Sequence, residues 1–253
     1  MNWQILKDQI FALTIANMKS RYRNTISGII WVILNPIIMY GAQSYAFSHI
    51  LKLNIPNFNL FLLLGLLPWL FISQSILMSA TMLVNSGALL KSYSIHPFVV
   101  VASQVLDNMF NFALAFLLIL IPSAFFSDIP LIRFFWLIVP SFSLVISVIS
   151  LCWLISVLNV FFRDTAFVMT FILNVSFFLT PIFYPVNMIN DDYRWIVKFN
   201  IFHLIISPFQ NILASQDQVL LESTAISLVV SVGLAATSFL VWKWRRNELF
   251  RYL

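Results

Sequence analysis

Long apolar stretches alternate with short polar breaks along most of the chain. Crossing a bilayer takes about 20 apolar residues, because the hydrocarbon core is about 30 Å thick and a helix rises about 1.5 Å per residue. Helices are favoured because hydrocarbon offers no water to unpaired backbone groups. The pattern predicts an all-α polytopic membrane protein, residues 1–253 forming one domain. Six stretches are long enough to span: 26–51, 58–84, 98–126, 134–162, 165–184 and 223–242.

An amphipathic helix is predicted ahead of the first span, over residues 2–20. Trp3, Leu6, Ile10 and Leu13 recur there at spacings of three and four residues. This spacing is typical of a helix lying at the membrane interface. The alternative is a short frayed lead into the first span.

The region 188–213, between the fifth and sixth spans, is apolar but interrupted. It holds two short apolar pieces, 195–199 and 201–213, and Pro208 lies inside the second. Apolar runs of about 10 to 14 residues beside a membrane are typical of re-entrant or interfacial helices. The sequence predicts a re-entrant outer helical hairpin here, and an outer loop resting on lipid fits the composition equally well.

The distribution of charge predicts the orientation. An even number of spans puts both termini on one side, and that side carries ten of the fourteen lysines and arginines. By the positive-inside rule, both termini are expected in the cytoplasm. The ten residues are Lys7, Lys19, Arg21, Arg23, Lys91, Arg163, Lys243, Arg245, Arg246 and Arg251.

Composition excludes several classes of protein. Of 253 residues, 61% are hydrophobic and 9% are charged, against about 25% charged residues in soluble domains. The single cysteine, Cys152, provides no disulfide framework. The net charge is +5, but the basic residues are too scattered to form a phosphate-binding face, so no nucleic-acid partner is expected.

Catalytic patterns are scarce in this sequence. The three histidines lie in separate segments, and no His-Glu-x-x-His spacing occurs. The segment 87–92 has a Lys-Ser pair, but Leu90 stands where a phosphate-binding loop needs glycine before Lys91. We therefore expect no cofactor in this chain, and energy for any uphill transport must come from another subunit.

A polar stripe interrupts the third predicted span. Gln104, Asp107, Asn108 and Asn111 share one helical face, and an ionisable residue inside a span is a functional candidate. The stripe could face a pathway or a partner helix. Alternatively it forms a hydrogen-bonded contact between helices, with Asp107 protonated or paired with a lysine from the cytoplasmic side.

Aromatic residues in the first and fifth spans are candidates for lining a translocation path. Trp31, Tyr40, Phe177, Phe178 and Tyr184 lie near the Asn-Pro and Thr-Pro pairs of these spans. Aromatic rings stack on the apolar faces of sugars, which suits passage of a glycan. The alternative role of each ring is packing or contact with lipid.

Three blocks of sequence carry a family resemblance. They are RYRNTISGIIWVILNP at 21–36, NSGALLKSYSIHP at 85–97, and FFRD at 161–164 followed by FFLTPIFYP at 177–185. With these blocks the chain resembles the type-2 class of ABC-transporter permeases, in particular exporters of O-antigen, capsule or teichoic acid. One departure is Ile201, which follows Asn200 where the family usually has proline.

The resemblance implies a transport subunit rather than an enzyme. It implies a homodimer in a bacterial inner (plasma) membrane, two copies of a cytosolic ABC ATPase that bind ATP and Mg, and a lipid-linked polysaccharide substrate. The fifth span and the outer hairpin would border the path. The loop expected to contact the ATPase comprises Lys91, Ser92, Tyr93, Ser94, Ile95, His96 and Pro97.

Other functions remain open at this stage. The same fold could export a small hydrophobic drug or a lipid. A membrane-embedded transferase would need clustered acidic residues or histidines at one membrane face, and the sequence offers no such cluster. A scaffold without transport would have no ATPase partner.

Overall fold

The structure is a computed structural model, which describes residues 3–22, 26–50, 55–93, 95–127, 129–214 and 216–253. Within these ranges, the side chains of residues 22, 26–29, 32 and 33 are not described. Ser94 and the predicted segment ends at residues 2 and 51 lie outside the described residues. The described regular elements are all helical, which confirms the all-α class.

Twelve α-helices are described. In chain order, α1 to α12 are Trp3–Tyr22, Ile26–Tyr45, Phe58–Ala80, Met82–Asn85, Gly87–Ser92, Pro97–Phe125, Leu131–Phe135, Ile138–Phe161, Thr165–Leu179, Arg194–Lys198, Ile201–Gln210 and Asp217–Tyr252. Short 3₁₀ helices cover Val186–Met188, Asp191–Tyr193 and Asn211–Leu213.

Within the described ranges, four helical stretches are long and apolar enough to cross a membrane. A fifth would result from Asp191–Lys198 and Ile201–Leu213 together, although these two pieces are bent by 97° at their junction. The chain is therefore a polytopic helical membrane protein, while the count of six spans stays a prediction. The four stretches are Phe58–Ala80, Pro97–Phe125, Leu131–Phe161 and Asp217–Tyr252.

The two other predicted spans are also helical. The first is α2, which continues in π-helical geometry over Ala46–Ile50. The fifth is α9, which ends at Leu179 rather than at 184. Pro181 disfavours a helical conformation at the residue before it, and Thr180 is accordingly extended, with φ −90° and ψ 129°.

Helix α3 forms the centre of the bundle. It is buried on nearly all sides against α2, α6, α8, α9 and α11, as expected for a helix that is apolar around its whole circumference. Leu62, Leu63, Leu64 and Leu66 are fully buried.

Small hydroxyl residues join the longest helices. The Oγ atoms of Ser143 on α8 and Ser227 on α12 lie 2.5 Å apart, and the Ser156 hydroxyl donates to the Ser79 carbonyl at 2.6 Å. Small residues let helix backbones approach closely where lipid provides no hydrophobic drive for association. These contacts join α8 to both α12 and α3.

Candidate functional site

The predicted polar stripe of α6 faces two neighbouring helices. Gln104, Asp107 and Asn108 are buried, and Asn111 is half-buried. The Asn108 amide donates to the Ser75 hydroxyl of α3 at 3.4 Å. The stripe therefore makes a hydrogen-bonded contact between helices, which was the second of the two interpretations of the sequence.

The partner of Asp107 comes from the N-terminal helix. Arg21 Nη2 lies 2.6 Å from Asp107 Oδ2 and donates to Asn108 Oδ1 at 3.2 Å. The expectation of a lysine partner needs correction, because an arginine occupies this position. A buried carboxylate is very unfavourable unless it is paired, and the guanidinium pairs with Asp107 while it donates to Asn108.

A polar seam runs along the contact of α1 with α6. Thr14 Oγ1 lies 3.5 Å from the carbonyl of Ser103, and the Asn17 amide donates to the Ser103 hydroxyl at 3.4 Å. Thr14, Asn17 and Arg21 recur at spacings of three and four, so one face of α1 carries all three. α1 is thus a continuous helix over Trp3–Tyr22 rather than a short lead, and it is bound to α6 by polar contacts.

A cavity of about 410 Å³ lies where α1, α2, α3 and α6 meet. It brings Trp31, a predicted path residue, together with Asn108 and Asn111 of the stripe. Asn35 of α2 and Gln74 of α3 also line it, and the sequence analysis did not single out these two amides. The polar stripe and one path candidate therefore share one site.

The other path candidates lie elsewhere. Tyr40 donates a hydrogen bond to the Asn59 carbonyl at 3.1 Å. Phe177 and Phe178 lie at the end of α9, where Tyr184 donates to the Phe178 carbonyl at 3.1 Å. Phe178 is 72% exposed, whereas Phe177 packs against other rings, with centroid distances of 5.7 Å to Trp69 and 5.1 Å to Phe183. The five aromatic residues thus do not form one cluster in this subunit.

The segment predicted as a re-entrant hairpin packs inside the bundle. Ile205, Ile206 and Phe209 of α11 are fully buried, and α11 contacts α3, α8 and α12. This packing argues against an outer loop that only rests on lipid. Backbone of this kind is tolerated at membrane depth where protein surrounds it.

Asn200 joins the end of α9 to the start of α11. Its Oδ1 accepts hydrogen bonds from the backbone N–H groups of Phe202 and His203, and its amide donates to Thr180 Oγ1 at 2.9 Å. Asn200 is therefore the N-cap of α11. Ile201 occupies the first helical position, which favours proline because its N–H has no partner within the helix.

The predicted ATPase-contact loop is largely exposed. Lys91, Ser92 and Tyr93 are exposed, with Tyr93 64% exposed, while Ile95 and His96 are half-buried and Pro97 is buried. A cavity of about 570 Å³ beside this loop is also lined by residues of α12. These neighbours have no local sequence signal, because they lie more than 140 positions away along the chain: Trp242, Leu249 and Phe250.

His96 has a structural role within this loop. Its Nδ1 accepts a hydrogen bond from the Phe98 N–H at 3.2 Å, which makes it the N-cap of α6, and Pro97 follows at the first helical position. Its ring lies 5.6 Å from that of Trp242 on α12. Burial lowers the pKa of His96 below its ordinary value, so the imidazole is neutral at pH 7 and can accept this bond.

Comparison with known proteins identifies the family. The sequence profile of ABC-2 type transporters matches residues 8–214, which is most of the chain. The chain belongs to the ABC-2 type transporter family. In this ABC-2 transporter chain, the matched region includes α1 from residue 8 onward, the exposed loop before α6, α6 itself, and the pair α10 and α11.

Three curated relatives carry the name "O-antigen export system permease protein RfbA". One from Myxococcus xanthus is 27% identical over 246 residues, covering 95% of this chain and 90% of that protein. Two from Klebsiella pneumoniae are 26% and 24% identical, covering 79% and 93% of this chain and 77% and 90% of the respective relatives. The similarity extends along nearly the whole ABC-2 transporter chain.

Proposed function

We propose that this chain is the transmembrane subunit of an ATP-driven exporter of lipid-linked polysaccharide of the O-antigen, capsule or teichoic-acid type. The observation that carries the proposal is the similarity to three permeases named for O-antigen export, which covers 79% to 95% of this chain. The absence of a phosphate-binding loop from the sequence is consistent with ATP and Mg being bound by a separate subunit.

The exposed loop before α6 is the proposed docking site for that ATPase subunit. Tyr93 projects from the loop, and interfaces are enriched in tyrosine because its large ring adds contact area at small entropic cost. Force applied at this loop would act directly on the N-terminus of α6. Through the ion pair of Arg21 and Asp107, α6 would then move α1 with it.

The proposed assembly contains two copies of this chain and two ATPase subunits in a bacterial inner membrane. In this proposal each copy has six spans and cytoplasmic termini. Helix α1 lies at the membrane interface, and α10 and α11 form a re-entrant pair. The exposed aromatic side chains Trp3 and Phe11 of α1 suit contact with lipid headgroups. The exposed face of α9, which includes Phe178, suits a path between two copies.

Deletion of the gene tests the function. The expected result is loss of polysaccharide from the cell surface and accumulation of lipid-linked polymer at the cytoplasmic face. Complementation with the unchanged gene should restore export, and the same vector without the gene serves as control. Normal surface polysaccharide in the deletion strain would refute the proposal.

A further inference from the structure

The cavity between α1, α2, α3 and α6 is lined by five polar side chains. Its volume of about 410 Å³ falls in the range of about 300–1,000 Å³ found for small-molecule sites. Side chains from four helices contribute to its polar lining. Polar groups inside a membrane bundle are costly and tend to mark substrate pathways. The polar residues that line this cavity are Arg21, Asn35, Gln74, Asn108 and Asn111.

The charges at this cavity compensate each other. Among the described residues that line the cavity, Arg21 carries the charge. Its guanidinium lies 2.6 Å from the carboxyl group of Asp107. The guanidinium is already engaged by Asp107 and by Asn108 Oδ1, so it is a poor site for an anion such as a diphosphate. A neutral ligand with many hydrogen-bonding groups fits this electrostatic environment.

The amides suit hydroxyl groups. Asn and Gln side chains both donate and accept hydrogen bonds, and so do the hydroxyls of a sugar. Asn35 and Gln74 are exposed although both line the cavity, so a ligand entering from outside can reach them. They lie on α2 and α3, so a bound molecule would contact both helices at once.

Aromatic and aliphatic residues provide the apolar part of the lining. Trp31 is 61% exposed at the cavity, and Phe71 and Phe112 lie in its wall with ring centroids 5.0 Å apart. The flat, exposed indole offers a stacking surface. A pyranose ring has the matching character, with apolar C–H faces and a polar hydroxyl edge.

We propose that this cavity binds one neutral hexose unit of the exported glycan. The inference rests on the proposed function and adds a location and a recognised chemical group: the sugar itself, held by amides and by Trp31, rather than the diphosphate or the lipid tail.

Two lipids separate recognition of the sugar from recognition of its carrier. The probes are a polyprenyl diphosphate bearing one hexose and the same polyprenyl diphosphate without sugar. Binding of each to the purified permease–ATPase complex is measured by native mass spectrometry over a concentration series. The unchanged complex is expected to bind the hexose-bearing lipid at least about 10-fold more tightly, because stacking and hydrogen-bonding contacts are added.

Substitutions in the cavity should remove this preference. Trp31→Ala and Gln74→Ala are each expected to weaken binding of the hexose-bearing lipid by about 10-fold, the effect of losing one stacking or hydrogen-bonding contact. Binding of the bare lipid should not change, which also shows that the variant is folded. Trp31→Phe keeps a ring and should lose less. Phe142→Ala removes an exposed aromatic side chain of α8 that does not line this cavity and should behave as the unchanged protein.

Three outcomes would overturn the inference: equal binding of the two lipids by the unchanged complex, equal weakening of both lipids by Trp31→Ala and Gln74→Ala, or no effect of either substitution. If Trp31→Ala fails to fold, Trp31→Phe and Gln74→Ala decide the matter. The gene-deletion experiment reports on export independently of these variants. The hexose site can therefore fail while the proposed function stands.

Discussion

Arg21 and Asp107 form an ion pair, 2.6 Å between Nη2 and Oδ2, that joins the N-terminal helix to the buried face of α6. Arg21 is partly exposed and Asp107 is almost completely buried. Removing the arginine leaves a buried carboxylate without its cation, which costs about 3–5 kcal/mol in other proteins. We expect Arg21→Ala to lower the thermal stability of the detergent-purified protein strongly, as measured by size-exclusion chromatography after heating.

The double variant Arg21→Gln with Asp107→Asn tests whether charge is the cause. It removes both charges and retains hydrogen-bonding groups, so it should be more stable than Arg21→Ala alone. Glu248→Gln breaks an exposed pair with Arg245 of 2.9 Å and serves as the control, because exposed pairs contribute only about 0–1 kcal/mol. A stable Arg21→Ala variant would contradict the importance of the pair.

Gly65 lets Gln210 of α11 reach the core. A Cβ atom at Gly65 would lie 2.5 Å from Gln210 Nε2 and 3.3 Å from the Ile182 carbonyl, and that carbonyl accepts a hydrogen bond from the same amide at 3.4 Å. Gly65→Ala should therefore push the Gln210 side chain away and destabilise the protein by about 1–3 kcal/mol.

Gly233 provides a matched control for that substitution. It lies within α12, and apart from its chain neighbours and the backbone of its own helix no described atom lies within 4 Å of the position of its added Cβ. Gly233→Ala should stabilise its helix by up to about 1 kcal/mol. Melting temperatures that change in the same direction for both alanine variants would refute the steric explanation.

Proline should be tolerated at Ile201. The preceding residue, Asn200, has φ −75° and ψ 106°, an extended conformation that is compatible with a following proline. Ile201→Pro should leave the melting temperature nearly unchanged. Leu204→Pro, by contrast, removes the N–H that donates to the Asn200 carbonyl at 3.0 Å and should cost about 3 kcal/mol or more. Equal destabilisation by the two prolines would show that α11 does not begin at Ile201.

The cap formed by His96 predicts a dependence of stability on pH. Burial lowers the pKa of His96 below its ordinary value of 6.5, so the unfolded chain takes up the proton first as the pH falls. Stability should therefore decrease as the pH drops below about 6.5 and level off once the folded protein is also protonated. His96→Asn keeps a capping oxygen and removes the titrating group, so the difference between the two proteins isolates this effect. Parallel stability curves from pH 8 to pH 5 would exclude it.

The positions of the long apolar helices followed directly from the sequence, because hydropathy over about 20 residues reflects transfer into lipid. Helix ends were less predictable. The sixth span was expected over 223–242, whereas α12 covers Asp217–Tyr252, since polar residues outside the membrane continue a helix without an apolar pattern. In α9 the Thr180-Pro181 pair did mark the end, which lies several residues before the predicted boundary.

The site was only partly predictable, for a different physical reason. The four polar positions of α6 were visible as a stripe, but their partners depend on how separate helices pack. Arg21 was counted among the charges that set orientation and in a family block, but not as a partner of the stripe, although its spacing of four residues from Asn17 equals that of Asp107 from Ser103 on the other helix. Matching polar faces between segments would have suggested this contact. The packing of Trp242 beside His96 has no comparable sequence signal.

The exposed ring of Tyr93 supplies the most direct test of coupling to the proposed ATPase. A tyrosine that anchors an interface contributes about 2 kcal/mol or more, which corresponds to about 30-fold in affinity. We expect Tyr93→Ala to weaken co-purification of the ATPase subunit by this amount while the permease still reaches the membrane.

His96→Ala would give an ambiguous result because it also removes the cap of α6, so the single Tyr93 variant is the cleaner choice. Phe135→Ala, which removes a ring of similar exposure on α7, lies on the predicted outer side and should leave ATPase binding unchanged. Undiminished binding by Tyr93→Ala would mean that the ATPase contacts another surface.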